Sequence, residues 1–561
     1  TLARMTTLAI PGALLAWAVL VGTTFIVAAP FPFAEPVRWR AWTEWPGLVP
    51  PVLPTAGEFS RAWGANILAG LLCAAVLVSA YGGGGAAARF ARLAGDAWDR
   101  TALGIGLVGL TLLGAGLAGL WFPVVVAACL LPGLVPAAAR ARAPVRARGA
   151  GSRAPSRALA TVGWFAAAFW VLAALNPDAG VDAYLYHLRL PFMYGLRHRV
   201  FSVWHQDHAH VPQLWEMLYA VFPRGLAASG AQFLSAFAAL AAFRTAASLA
   251  GTSWPMWAAL LLVFTSPLVL GVGTLAHTDL PMVWLGLASF RLASRGRPAV
   301  RWFGGGLIAG LACSVKYAAF PVLAAFGCTA AAAAWRRRRI VPLLAAGGGC
   351  LAVFWPWLAW NALATGNPLH PFFWRWTPWA LAPPEYARRV SEAVFRRSWA
   401  EVLRSGWNAY VRSSPALFLS PALVAAAPCV VLPGGRGGLP RGTGWWLAGG
   451  TAAWAVFLAD ERFALPLIPV LALCVAARLV SRTPRGSAWL ALLLVVNACG
   501  AFRQTFLPTT RLWTALGLAS RDAWWRSRRT CQRSSLKRRQ TSRPRTRRTR
   551  THPRSRARGG S

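Results

Sequence analysis

Four acids and five histidines fall within the forty-one residues NPDAGVDAYLYHLRLPFMYGLRHRVFSVWHQDHAHVPQLWE: Asp178, Asp182, His187, His198, His205, Asp207, His208, His210 and Glu216. An acid held partly out of water is a stronger general base than one in bulk solvent, because desolvation disfavours its charged form. Asp182, with Tyr184, Tyr186 and His187 close behind it, has the residue types for such a role. Asp178 or Asp182 could equally cap the helix that follows, since Asp is a strong N-cap. His205, His208 and His210, with Asp207 or Glu216, have a spacing that could hold a divalent metal, or they are ordinary polar residues at a membrane interface. Cations able to meet a phosphate are Arg197, His198, Arg199, Lys316 and Arg462, with Arg suited to bidentate contact and Lys to a point charge. Arg197 and Arg199 could instead face solvent or lipid headgroups, and Lys316 could snorkel to the interface. His277 and His370 are further candidates to line a cavity beside Asp279.

The elements that carry these residues are membrane helices. The 561-residue chain is 56% hydrophobic and 13% charged, with 31 Trp and a mean hydropathy of +0.46. That composition excludes an ordinary soluble domain. Apolar runs of spanning length include Leu8 to Ala29, Ala65 to Tyr81, Thr101 to Leu120, Ala158 to Leu175 and Ile340 to Asn361, and the whole chain has room for roughly twelve to fourteen helices. The expected class is an all-α, polytopic bundle. Leu8 to Ala29 lacks a small-residue cleavage site before Pro30 and reads as a helix that stays.

The net charge of +42 suggests nucleic acid at first sight. Fifteen of those charges lie between Arg526 and Ser561, and much of the remainder sits in short loops between apolar runs. Such loops face the cytoplasm by the positive-inside rule, so the basicity reports topology and no nucleic-acid partner is expected. Segments 89–100, 140–157, 291–301 and 336–339 are then inside. Asn176 to His210, Asp279, Lys316, the segment after Asn361 and Glu461–Arg462 are outside. Because the return from Asp279 to Arg291 is short, Asp279 is expected below the surface. Trp254 to Ala276 is read as one crossing, Trp302 to Trp335 as two short helices meeting near Lys316, and Val211 to Phe222 as an interfacial or re-entrant helix. Eight cysteines are scattered singly in apolar segments and read as core residues. The Arg/Ser/Thr tail cannot form a core. It reads as a disordered arm, or as the sequence that an out-of-frame stretch of GC-rich DNA yields. No repeat, P-loop, Rossmann fingerprint or HExxH site occurs.

Six segments together resemble the GT-C class of membrane glycosyltransferases, in particular bacterial relatives of protein O-mannosyltransferases and aminoarabinose transferases. They are VDAYLYHLRLP (Val181 to Pro191), HVPQLWEMLY (His210 to Tyr219), HTDLPMVWLGLASF (His277 to Phe290), GLIAGLACSVKYAAFPVL (Gly306 to Leu323), TGNPLHPFF (Thr365 to Phe373) and ERFALPLIPVLAL (Glu461 to Leu473). The likeness covers Ala158 to about Gly517. It divides the chain into residues 1–157, helices of unassigned role; 158–517, a catalytic region; and 518–561, the basic tail.

The resemblance implies an inverting enzyme of the inner (plasma) membrane. It would move a sugar from a polyprenyl or dolichyl phosphate to a glycan, lipid or protein acceptor at the outer face. Asp182 would be the catalytic acid of the first external loop and Asp279 a second. Donor phosphate would meet Lys316, Arg197, Arg199 or Arg462, and Asp178, Tyr186, His187, His277 and His370 would line the cavity. Fixed cations can meet the leaving phosphate, so no cofactor is required, although a divalent metal fits the chemistry. The rival reading is a transporter or flippase for a lipid-linked or anionic solute. A transporter is expected to place its charges near the midplane in related halves, whereas here the acids gather at one face.

Overall fold

A computed structural model describes residues 56–93, 95–142, 157–175, 182–203, 206, 208–251, 253–294, 298–373, 377, 385, 388, 398, 400–401, 439–440, 442–457 and 461–480. The expectations for Leu8 to Ala29, Asp178, His205, Asp207 and the basic tail fall outside them. The described residues form helices and turns, with no strand among them. The main helices are α1 (Ala56–Phe90), α2 (Ala97–Leu117), α3 (Arg157–Ala174), α4 (Arg189–Arg197), α5 (Ala227–Ala250), α6 (Trp254–Phe264), α7 (Asp279–Ala293), α8 (Pro298–Val315), α9 (Phe320–Arg337), α10 (Val341–Thr365), α11 (Thr443–Phe457), α12 (Glu461–Ala464) and α13 (Ile468–Val480). Five of the described helical stretches are long and apolar enough to cross a membrane. The chain is a polytopic helical protein.

Small residues set how closely the helices approach. A methyl group at Gly84 or Gly104 would overlap the backbone of Arg100 or Ala80 on the facing helix, so α1 and α2 meet backbone to backbone. Such contacts are a main source of packing energy where lipid surrounds the helices and the hydrophobic effect does not drive them together. The short helix at the middle is α7, and all fifteen of its residues are buried. At 1.5 Å per residue it is about 22 Å long, less than the ~30 Å hydrocarbon layer.

Two sequence expectations change. Trp254 to Ala276 is not one helix: Pro267 starts a new one, Pro267–Gly273, behind Ser266, whose hydroxyl accepts from Val269 N–H at 3.4 Å. Proline at a helix N1 position is favourable and inside a helix is not. Val211 to Phe222, expected as one interfacial or re-entrant helix, is instead a turn of α-helix, Leu214–Met217, followed by one of 3-10 helix, Leu218–Val221. Most of it is buried, and it packs on α2. Helices before residue 157 thus touch the segment that carries Glu216, so the motif boundary at 157/158 is not a packing boundary.

The turn at Lys316 is as expected. Lys316 takes an extended conformation, φ −167° and ψ 146°, between α8 and the 3-10 turn Tyr317–Ala319 that leads into α9.

At one end of α7, Arg291 is fully buried and donates from Nη1 to Asp96 Oδ2 at 2.7 Å and to Ser248 Oγ at 3.1 Å. Its Nη2 donates to Asp96 Oδ1 at 2.8 Å and also to Asp99. Asp96 and Asp99 form a capping box at the start of α2. Arg291, counted by sequence as a loop charge, is therefore a buried strut.

Candidate active site

At the other end of α7 lie Asp182, Asp279, Lys316 and Arg462, which come from four separate segments. Asp182 immediately precedes a π-helical turn, Ala183–His187. Such turns are rare and are found frequently at functional sites. The Asp182 side chain makes no capping hydrogen bond. Instead its Oδ2 accepts from Arg462 Nη1 at 3.0 Å. Burial opposes ionisation of Asp182, but the hydrogen bond and charge of Arg462, with the charges of His277 and Lys316, outweigh it and hold the carboxyl below the usual range.

Tyr186, on the same π turn, accepts a hydrogen bond at its hydroxyl from Lys316 Nζ at 3.0 Å. The ammonium also lies 5.6 Å from the Tyr186 ring centre and 5.4 Å from that of Phe463. Lys316 is fixed by these contacts rather than snorkelling. Its turn is fixed too, because Tyr317 OH accepts from Asn361 Nδ2 at 2.8 Å and its ring meets Phe372 at 5.5 Å. Asn367 closes the TGNPLHPFF loop by donating from Nδ2 to the Phe372 carbonyl at 2.7 Å and accepting from Leu369 N–H at 3.0 Å. That motif thus serves to brace the lysine turn.

Asp279 is 1% exposed, and neither carboxylate oxygen has a hydrogen bond among the described residues. His277 Nδ1 stands 3.5 Å from Asp279 Oδ2, an ion-pair distance but a long one for a hydrogen bond. The charges of Lys316 and Arg462 act on both Asp279 and Asp182, which places the four groups in one electrostatic neighbourhood. The turn holding His277 is pinned by α5: Gln232 Nε2 donates to the Thr274 carbonyl at 2.8 Å, and Ser235 Oγ to the His277 carbonyl at 2.9 Å. Ser235 is eight residues into α5, so His277 lies about 12 Å below that end of the helix. Asp279 is recessed, as the short return to Arg291 implied.

Beneath lies a pair the sequence did not reveal. His187 Nδ1 and Glu216 Oε1 are 2.7 Å apart, and both residues are buried. Burial pushes Glu216 up to about 8 and His187 well below the usual imidazole value. The two therefore share one proton without net charge. The His187 ring also meets that of His277, at 5.6 Å. Gln232 and Ser235 were legible only as polar residues in an apolar run, and Glu216, among the candidates of the first loop, gave no sign of its pairing with His187.

The other candidates separate. His208 stacks on Tyr186 at 4.0 Å, while His210 pairs with Ser202 Oγ at 2.7 Å and meets the His370 ring at 5.3 Å. Burial pushes all three imidazoles, His208, His210 and His370, down to about 4. Among the described residues no three His, Cys, Asp or Glu side chains gather as they would around a metal ion. Arg197 and Arg199 are exposed where α4 ends at His198, whose left-handed conformation (φ 53°) caps the helix. His198 stacks on Phe122 at 4.3 Å, and Arg197 lies 5.7 Å from the Phe201 ring centre. Neither arginine contributes to the electrostatics of Asp182 as Arg462 does. A cleft of about 470 Å³ lined by Arg336, Thr443, Trp445 and Cys474 is at the far end of α9 from Lys316.

The chain is similar to ArnT from Cupriavidus metallidurans, solved bound to undecaprenyl phosphate, at 14% identity and a TM-score of 0.41, over 64% of this chain and 69% of that one. No family model and no curated relative matches the chain.

Proposed function

We propose that this protein transfers a sugar from a polyprenyl or dolichyl phosphate carrier to an acceptor at the outer face of the membrane, with Asp182 as general base. The observation that carries the reading is the meeting of two acids and two cations, Asp182, Asp279, Lys316 and Arg462, at one recessed end of a helical membrane protein. In a transfer with inversion, the acceptor hydroxyl gives its proton to Asp182 as its oxygen bonds to the anomeric carbon. The bond from that carbon to the carrier phosphate breaks on the opposite side. The departing phosphate gains charge, and cations at the site stabilise it. Lys316, held by Tyr186, supplies one such charge and Arg462 the other. Asp279 balances them from below. The reading needs no metal, because two cations, Lys316 and Arg462, are near enough to meet the leaving group.

Purified protein supplied with a polyprenyl-phosphate sugar and candidate acceptors tests this directly. Asp182→Asn removes the base while keeping the side chain's size, so transfer is expected to fall by about 10²- to 10⁴-fold, with folding and membrane insertion intact. Near-normal transfer by Asp182→Asn would falsify the base assignment.

A further inference from the structure

Two of the groups just assigned separate roles are bound to each other. Arg462 Nη1 sits 3.0 Å from Asp182 Oδ2, so the base and one phosphate cation neutralise one another. Counting Asp182 and Asp279 against Lys316 and Arg462, the cluster is already balanced before any donor arrives. A lipid-phosphate sugar brings a further negative charge, and one cation must turn to meet it.

The two cations differ in how firmly they are held. Lys316 is fixed by the Tyr186 hydroxyl and lies against two aromatic rings. Arg462 rides on a four-residue helix, and the side chains of Arg462 and Asp182 are 23% and 29% exposed. Ion pairs so open to solvent are weak and exchange partners at little cost. A guanidinium also matches a phosphate with two parallel hydrogen bonds.

We propose that the donor phosphate and Asp182 compete for Arg462, so that donor binding draws the guanidinium away and uncovers the carboxylate as a base only when there is a sugar to transfer. This rests on the proposed function and adds to it a regulation of the same site. With Arg462 gone from Asp182, burial is left as the dominant influence on the carboxyl and makes it more basic. Before the donor arrives, the masked acid is poor at activating water.

Undecaprenyl phosphate is the probe, and its affinity for the full-length protein in nanodiscs is the readout. Competition predicts that Asp182→Asn, by freeing Arg462, binds the lipid about two- to fivefold more tightly than wild type, the range a half-exposed ion pair commands. Arg462→Gln should bind more weakly, and in the double variant most of the gain from Asp182→Asn should vanish. Unchanged or weaker binding by Asp182→Asn overturns the proposal. So does an equal gain with and without Arg462, which would mean simple repulsion between carboxylate and phosphate. Wild-type protein that does not bind the lipid at all rejects the functional reading itself, a separate outcome. Both residues are partly exposed, and thermal unfolding of each variant checks that the fold is kept.

Discussion

At one end of α7, Arg291 is satisfied by two carboxylates and a serine hydroxyl, whereas at the other Asp279 is as deeply buried yet has no hydrogen bond among the described residues. Buried charge is costly, and nature tolerates it either when it is fully paired or when it works. The Arg291 end comes close to the first condition, since both Nη1 and Nη2 are paired and only Nε has no partner among the described residues. The Asp279 end does not meet the first: its carboxylate is balanced by the charges of Lys316 and Arg462 and by His277 at 3.5 Å, with no hydrogen bond to either oxygen among the described residues.

That contrast can be broken by mutation. The largest effect on stability is expected from Arg291→Leu, which strands Asp96 and Asp99 and should cost about 3–5 kcal/mol, read as a lowered unfolding midpoint. Replacing Asp279 with Asn loses no hydrogen bond but leaves Lys316 and Arg462 less balanced, so it should cost less stability than Arg291→Leu, while sugar transfer falls sharply. An equal loss of stability from the two variants would erase the distinction between the ends. Smaller again is Ser235→Ala, which removes the hydroxyl that holds the His277 carbonyl. It should cost about 1 kcal/mol and lower transfer in proportion as His277 and Asp279 shift.

The remaining effect is in pH dependence. Glu216 in the fold titrates at about 8, above its ordinary carboxyl value, so the folded state holds this proton more tightly than the unfolded chain. Its contribution to stability is fully present below the unfolded value and is lost as pH rises toward 8. His187, His208, His210 and His370 are shifted downward and act in the opposite sense, adding stability as pH rises to about 6.5. Between about pH 6.5 and 8 the carboxyl acts alone. Stability should decline across that window in wild type and stay flatter in Glu216→Gln, as measured by unfolding midpoints at several pH values.

The acids and the lysine of the site were legible because charge in an apolar chain is conspicuous, and the shortness of α7 was visible in the thirteen residues from Asp279 to Arg291. The break at Lys316 followed from the length of its apolar run. The role of Arg291 was hidden, since counting positive loop charges says nothing of the partners they find 195 residues away. Histidine spacing left a metal set and ordinary polar residues both open, and spacing alone could not show that His208 and His210, near in sequence, turn to Tyr186 and to His370. Ser266–Pro267 divides an apolar run that hydropathy alone reads as continuous. Tertiary partners, unlike periodicity, leave no local trace.

The length of α7 has an electrical consequence. With Arg291 and its carboxylates at one end and Asp279 at the other, the polar ends are separated along the helix by about 18 Å rather than the ~30 Å of the surrounding hydrocarbon. A given membrane voltage dropped over the shorter insulating path yields a field about two-thirds steeper. A full charge crossing 100 mV involves about 2.3 kcal/mol, and along α7 that energy is spread over a shorter distance than in the surrounding lipid, so charges at either end of the helix face each other across the thinnest insulation.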